Sequence, residues 1–282
     1  MNLKSAIHTA CLLEVTARKP GNVHPLASFH DCDWQTFADS AEAIAPILAD
    51  AHKMGVGAAI LSAVRATQER VGRNTNLGMI LLLAPLAAAA AFDGDLRRNV
   101  ALVLDSLTLR DAELVYEAIR VAKPGGLGNA SKADVAESPT IGLVEAMRLA
   151  ADRDDVARQF VNGFDDVFRL STAFDAQDLA TLEAQIVRAH VARIATASDT
   201  LIARKCGPEI ARQASERAKK ALDGNPETLA DFDAWLRADG NRRNPGTTAD
   251  LIAAALFVAL LKGQIPLLNP SVIFAFADRT RM

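Results

Sequence analysis

The stretch NRRNPGTTADLIAAALFVALL, Asn241–Leu261, places a polar, basic turn directly before an uninterrupted apolar run. Asn-Pro-Gly followed by two threonines is typical of a turn that caps a helix. The apolar run is rich in Ala and Leu, which are strong helix formers, and it is shorter than the ~20 residues that span a bilayer. We therefore expect a buried helix over Thr248–Lys262, with arginine and asparagine side chains gathered at its start.

The rest of the chain repeats this helical pattern. Half of the 282 residues are apolar and only 5% are aromatic, and periodicity typical of strands is scarce. The sequence predicts an all-α fold, a single compact multi-helix domain over residues 1–282. The other expected helices are Leu3–Ala17, one that begins after Asp33, Ala58–Val71, Met79–Ala91, one that begins at Thr108, Thr140–Ala151, Asp154 or Asp155 to Phe168, Ala176–Thr196, Pro208–Leu222 and Glu227–Ala238.

Composition excludes several classes of protein. A net charge of −3 provides no broad positive field, so nucleic-acid binding is not expected. The three cysteines lack metal-ligand spacing, and the N-terminus lacks the pattern of a secretory signal, so we expect a cytoplasmic protein without structural zinc. We expect no membrane span. Leucine-rich amphipathic helices often pair in homodimers, so a homodimer is possible, but the sequence does not decide it.

Four polar segments stand between the apolar helices. Each combines Asn, Lys or Arg with Gly or Pro, and the second and fourth lead directly into helices. A helix N-terminus presents free N–H groups to an anion, and nearby cations strengthen the binding, so these segments predict a phosphate site. The four are the first (Arg18–His24, RKPGNVH), the second (Gly72–Gly78, GRNTNLG), the third (Ser198–Gly207, SDTLIARKCG) and the fourth (Asn241–Asp250, NRRNPGTTAD).

Each segment also has an ordinary structural interpretation. KPGN alone is a common turn, NPGTT alone is a helix cap, and Arg204 with Lys205 could be solvated charge at a helix C-terminus. Asp250 could complement a helix dipole, bind Mg²⁺ or act as a general base. Glu14 lies on an apolar helix and needs a partner, for which Lys19 and Arg73 are the candidates.

The four segments in this order resemble those of the triphosphoribosyl-dephospho-CoA synthase family. That family carries a KPG loop after its first helix, an NTxxG loop, a DTxxxR segment and an NPG[ST]xADL helix start. The resemblance spans about Ala6 to Leu261. It implies an all-helical fold and an enzyme that joins C1′ of the ATP ribose to the 2′-hydroxyl of 3′-dephospho-CoA and expels adenine.

The same resemblance implies roles for individual residues. Asp250 would be a catalytic carboxylate or the ligand of the Mg²⁺ that accompanies ATP, with Glu14 as the second catalytic carboxylate. Lys19, Arg73, Arg204 and Lys205 would hold phosphates. The asparagines that would orient ribose or phosphate oxygens are Asn22, Asn74, Asn76 and Asn244.

The second and third segments depart from the lyase-associated members. NTNLG stands where those members tend to have NTHKG, and RKCG stands where they often have RGG. The chain therefore resembles a divergent branch associated with tetrahydromethanopterin-linked one-carbon metabolism. Two alternatives follow: ribosyl or phosphoribosyl transfer to a pterin-type cofactor precursor, and a non-catalytic nucleotide-binding protein.

Overall fold

Helices form the regular structure of the chain in a computed structural model, which describes residues 2–125 and 133–279. Apart from them, these residues contain an isolated bridge between His24 and Ala27. The predicted all-α fold is confirmed. The helices are α1 Leu3–Thr16, α2 Trp34–Ala49, α3 Ala51–Met54, α4 Val56–Val71, α5 Leu77–Ala90, α6 Leu96–Asp105, α7 Leu109–Ala122, α8 Leu143–Ala150, α9 Asp155–Asn162, α10 Asp165–Ser171, α11 Leu179–Thr196, α12 Thr200–Cys206, α13 Pro208–Ala221, α14 Pro226–Arg237, α15 Gly246–Leu261 and α16 Pro270–Arg279.

Helix α15 lies at the centre of the fold. Every residue from Leu251 to Leu260 is buried, and the helix packs against α1, α5, α10 and α11. Helix α5 is similarly apolar and contains Pro85, and it matches the helix that the sequence predicted over Met79–Ala91 to within two residues at each end. Within the described part of the chain, no helix combines the length and apolarity needed to cross a membrane.

Two hydrophobic clusters hold the helices together. The larger surrounds α5 and α15, and the smaller lies between the C-terminal half of α11 and helices α12, α13 and α14. Helix α11 connects them, because Ile186 belongs to the first cluster and Ile194 to the second. The α12–α14 unit is thereby held beside the start of α15.

Local capping explains several helix starts that the sequence predicted correctly. Asp33 and Thr108 each form a capping box with the residue three positions later. Asp154 caps α9 through the backbone N–H groups of Val156 and Ala157. These short-range signals need only the residues around each helix start, so they can be read without the tertiary structure.

Several predicted helix bounds differ from those in the structure, and some helices were not predicted. The helix expected at Thr140 begins three residues later, at Leu143. The single helix expected from Asp154 to Phe168 is two, because Gly163 and Phe164 adopt positive φ angles of 68° and 63° between α9 and α10. Helix α6 was not predicted, and most of the third polar segment is helix α12 rather than a loop.

Candidate active site

The first, third and fourth polar segments meet at the start of α15. A Cβ atom placed on Gly21 would lie 2.9 Å from Cδ of Pro245, and one placed on Gly246 would lie 2.6 Å from Cδ2 of Leu201. Side chains essentially never approach so closely, so glycine is required at both contacts. These close contacts of glycine with the Pro245 and Leu201 side chains bring segments distant in sequence to one end of α15.

The second segment reaches the same place through Gly78, in the first turn of α5. A Cβ on Gly78 would lie 2.0 Å from Oδ2 of Asp250. The missing side chain therefore lets the Asp250 carboxylate rest against the N-terminal turn of α5. All four polar segments converge, as the phosphate-site hypothesis required.

Asp199 fixes the third segment to the fourth. Its carboxylate accepts hydrogen bonds from the backbone N–H groups of Leu201 and Ile202, at 2.9 and 3.1 Å, and so caps α12. It also accepts from N and Oγ1 of Thr248, at 2.7 and 2.8 Å, in the first turn of α15. One fully buried side chain thus orients both helix starts. Sequence reasoning missed this role because it depends on a contact between segments about 50 positions apart.

The convergence encloses a cavity of about 790 Å³, near the upper end of the range for small-molecule sites. Eight of the ten predicted site residues line it: Glu14, Asn22, Asn74, Asn76, Arg204, Lys205, Asn244 and Asp250. Lys19 and Arg73 are not among its lining residues. Arg73 instead pairs with Asp31, itself on the cavity wall, at 3.2 Å.

Lys19 lies fully buried behind Glu14. Its Nζ lies 3.0 Å from Oε1 of Glu14 and donates hydrogen bonds to the carbonyl oxygens of Glu14 and Ala17. The expected partner of Glu14 is thus Lys19 rather than Arg73. Burial raises the pKa of Glu14, and the ammonium of Lys19 opposes that shift. Because its ammonium is enclosed and paired, we assign no phosphate contact to Lys19.

The Asp250 carboxylate lines the cavity and has no paired cation among the described residues. Within residues 2–125 and 133–279, no hydrogen bond or ion pair to its side chain is formed. Burial raises its pKa well above the ordinary value, the nearby acids Glu14, Asp199 and Asp154 raise it further, and Arg204 opposes them. The ionised carboxylate is destabilised in this environment, so binding of a cation or a proton stabilises it.

Cationic side chains line the same cavity. Arg204 pairs with Asp154, and Nζ of Lys205 donates to Oδ1 of Asn244 at 3.2 Å. Burial lowers the pKa of Lys205. The Arg242 guanidinium donates to the Lys205 carbonyl at 3.1 Å and also lines the cavity. Together these groups present positive charge and N–H donors suited to phosphate oxygens.

The asparagines supply further donors. Oδ1 of Asn74 accepts from the backbone N–H of Leu77 at 3.1 Å, and Oδ1 of Asn76 accepts from the Thr67 hydroxyl at 3.1 Å. Each arrangement leaves the side-chain NH₂ group as the donor that a ligand can meet. Oδ1 of Asn22 is buried without a hydrogen-bond partner in the described residues.

The two arginines of the fourth segment have different roles. Arg243 stacks over Trp235, with Cζ 4.5 Å from the ring centroid, and donates to the Trp235 carbonyl at 3.1 Å. It is absent from the cavity wall, whereas Arg242 lines it. Arg153, just after α8, also lines the cavity and was not predicted. The NRRN pattern was a signal for Arg242, but nothing local distinguished it from Arg243.

The cavity residues fit a Mg²⁺ ion that arrives with a polyphosphate. In the described part of the chain, no three His, Cys, Asp or Glu side chains are grouped to hold a metal by themselves. Mg²⁺ usually takes only one or two protein carboxylates, with waters and phosphates completing its shell. Asp154 and Asp250 both line the cavity and provide that number.

Comparisons with known proteins agree with the geometry. A family model described as CitG, ATP:dephospho-CoA triphosphoribosyl transferase, matches residues 1–267. A crystal structure from Archaeoglobus fulgidus, described provisionally as a triphosphoribosyl-dephospho-CoA synthase, superposes with a TM-score of 0.67. The two chains are 27% identical, over 80% of this chain and 98% of the other. No match is found among curated proteins.

Proposed function

Because the chain belongs to the ATP:dephospho-CoA triphosphoribosyl transferase family, we propose that its cavity transfers the triphosphoribosyl group of ATP to the 2′-hydroxyl of 3′-dephospho-CoA and releases adenine. The observation that carries the proposal is the position of Asp250. Its unpaired carboxylate shares one cavity with Arg204, Lys205 and Arg242. A nucleotide whose phosphates contacted these cations would have its ribose within the same enclosed space as the carboxylate.

The reaction breaks one bond and forms another at C1′ of the ATP ribose. The C1′–N9 bond breaks and its electron pair leaves with adenine, so positive charge develops on the ribose. The Asp250 carboxylate stabilises the positive charge on the ribose. It then accepts the proton of the acceptor hydroxyl as the C1′–O2′ bond forms. Adenine takes up one proton in exchange, and the triphosphate stays intact.

The other groups hold the triphosphate. Arg204 and Lys205 lie in the last turn of α12, and Asn244 precedes α15. In the proposed complex, Arg204 exchanges its pairing with Asp154 for a phosphate, and the freed Asp154 carboxylate would be available to hold Mg²⁺. Bound with ATP, the metal would neutralise part of the triphosphate charge. Asp250 as the metal ligand is the alternative arrangement.

Free adenine is the product that tests the proposal. Purified protein is incubated with ATP and Mg²⁺, with and without 3′-dephospho-CoA, and the products are separated by chromatography and mass spectrometry. We expect adenine and a triphosphoribosylated acceptor in equal amounts, only when the acceptor is present. Release of ADP or inorganic phosphate instead would contradict the proposal.

The same assay separates the alternatives raised by the sequence. ATP binding without turnover of any acceptor would favour the non-catalytic nucleotide-binding protein. Adenine release with a pterin-type precursor but not with 3′-dephospho-CoA would keep the ribosyl transfer and change the acceptor. The outcomes differ in products or in ATP binding, so the product assay together with a measurement of ATP binding decides among them.

A further inference from the structure

Part of the cavity wall is apolar and comes from two helices. Helix α7 contributes Val115, Tyr116 and Ile119, and helix α8 contributes residues from Leu143 to Ala150. No charged side chain of either helix lines the cavity. The charges of α8 project elsewhere: Glu145 and Arg148 are exposed and absent from the lining.

Part of this apolar wall remains accessible. Leu149 is 44% exposed, and Ala146 and Met147 are only partly buried. Apolar side chains at the mouth of a cavity gain stability only when something covers them, and ligand sites are lined in this way. The stretch from Leu143 to Ala150 extends about 10 Å along the helix axis at 1.5 Å per residue, which suits an elongated group better than a compact ring.

The ends of the wall adjoin the charged part of the site. A Cβ on Gly125, just after α7, would lie 3.3 Å from Cε of Lys205. Arg153, just after α8, lines the cavity immediately before Asp154, the partner of Arg204. A ligand in this cavity can therefore place an uncharged part against the apolar wall and a charged part against Lys205 or Arg153.

An apolar wall next to cations matches the chemistry of the acceptor, and the inference rests on the proposed function. From its reacting ribose, 3′-dephospho-CoA continues into a diphosphate and then into the long, uncharged pantetheine arm. We propose that the apolar wall of α7 and α8 binds the pantetheine arm, and that Arg153 contacts the diphosphate between the arm and the ribose. Selection of the acceptor then depends on α8 rather than on the four polar segments.

ADP provides the matched test ligand, because it is 3′-dephospho-CoA without the pantetheine arm and keeps the same ribose and diphosphate. Ala146→Phe places a ring into the apolar wall. In the wild type we expect kcat/KM to be roughly 10- to 100-fold higher for 3′-dephospho-CoA than for ADP as acceptor. In Ala146→Phe we expect that ratio to approach one, through loss of activity with 3′-dephospho-CoA and with KM for ATP unchanged.

Glu145→Phe is the control, because it adds the same ring on the face of α8 away from the cavity. It should keep the wild-type ratio, and equal thermal unfolding of the two variants would show that both are folded. An Ala146→Phe variant that raised KM for ATP, or that slowed both acceptors equally, would overturn the assignment of the wall to the pantetheine arm. Absence of adenine release by the wild type with either acceptor would instead refute the proposed function.

Discussion

Asp154 and Asp155 are neighbours in sequence but belong to two very different acidic environments. One Asp155 oxygen lies 2.5 Å from Arg193 of α11, and the other lies 2.5 Å from Arg158 of its own helix, α9. Asp154 faces the cavity that contains Asp250. We call Asp155 and Asp166, with the arginines that pair with them, the paired cluster. We call Asp250 and the acids near it the cavity cluster.

The acids of the paired cluster have nearby donors, although burial raises the pKa of Asp155 against the opposing charges of Arg193 and Arg158. Burial opposes ionisation of Asp166, yet hydrogen bonds from Gln159 and the charge of Arg158 lower its pKa to about 2. In the cavity cluster, burial raises the pKa of Asp250, and three acids around it act in the same direction. The paired cluster therefore joins α9, α10 and α11, whereas the cavity cluster keeps a carboxylate available for a ligand.

The largest expected effect comes from Asp250→Asn. We expect adenine release to fall by about 10²- to 10⁴-fold, because the amide can neither take the acceptor proton nor oppose the ribose charge. The fold should survive. Since a raised folded-state pKa costs stability as pH rises through it, the variant should gain thermal stability over wild type at neutral pH and lose that advantage in acid.

Two comparisons control the Asp250→Asn result. Asp105→Asn makes the same chemical change at an exposed site and should leave the rate unaltered. Near wild-type activity in Asp250→Asn would remove this residue from the reaction. Loss of Mg²⁺-dependent ATP binding, measured by calorimetry, would make Asp250 the metal ligand instead.

A substitution in the paired cluster should lower the stability of the fold. Arg193→Ala leaves Asp155 buried with one fewer partner, which typically costs about 3–5 kcal/mol. For a chain of this size we expect the melting temperature to fall by roughly 6–20 °C. The control is Arg110→Ala, which removes an exposed pair with Glu113 and should change stability by less than about 1 kcal/mol. Equal melting temperatures for the two variants would mean that the paired cluster is not structural.

Gly78→Ala tests how the cavity cluster is positioned. The added methyl group would overlap the Asp250 carboxylate and displace it, so we expect kcat to fall by about 10²-fold. Gly142→Ala, where a Cβ would meet no atom within 4 Å, is the matched control. If Gly78→Ala kept full activity, the contact between α5 and Asp250 would be irrelevant to the chemistry.

The smallest effect is a pH dependence. A base must be deprotonated, and Asp250 has a raised pKa, so kcat/KM should decrease as the pH falls, with a midpoint above the ordinary range of an aspartate. Circular dichroism at each pH checks that the protein stays folded. A rate that is constant down to pH values near the ordinary pKa of an aspartate, about 3.9, would contradict the shift.

Sequence reasoning identified the helical fold because it depends on local signals, whereas the meeting of the four segments was suggested by their shared composition and by the family resemblance. Apolar helices, caps and glycine-rich turns are determined by neighbouring residues. The direction of Arg243 depends on Trp235 in α14. That of Arg242 depends on the Lys205 carbonyl in α12. Burial of Lys19 and the double cap of Asp199 likewise depend on contacts between distant segments, so the chain pattern alone could not reveal them.

A crystal structure with ATP and Mg²⁺ bound to the Asp250→Asn variant tests the central claim most directly, because slow turnover keeps the nucleotide intact. We predict the triphosphate against Arg204, Lys205 and Arg242, with C1′ of the ribose facing residue 250. A nucleotide bound outside this cavity, or with its ribose turned away from residue 250, would contradict the account.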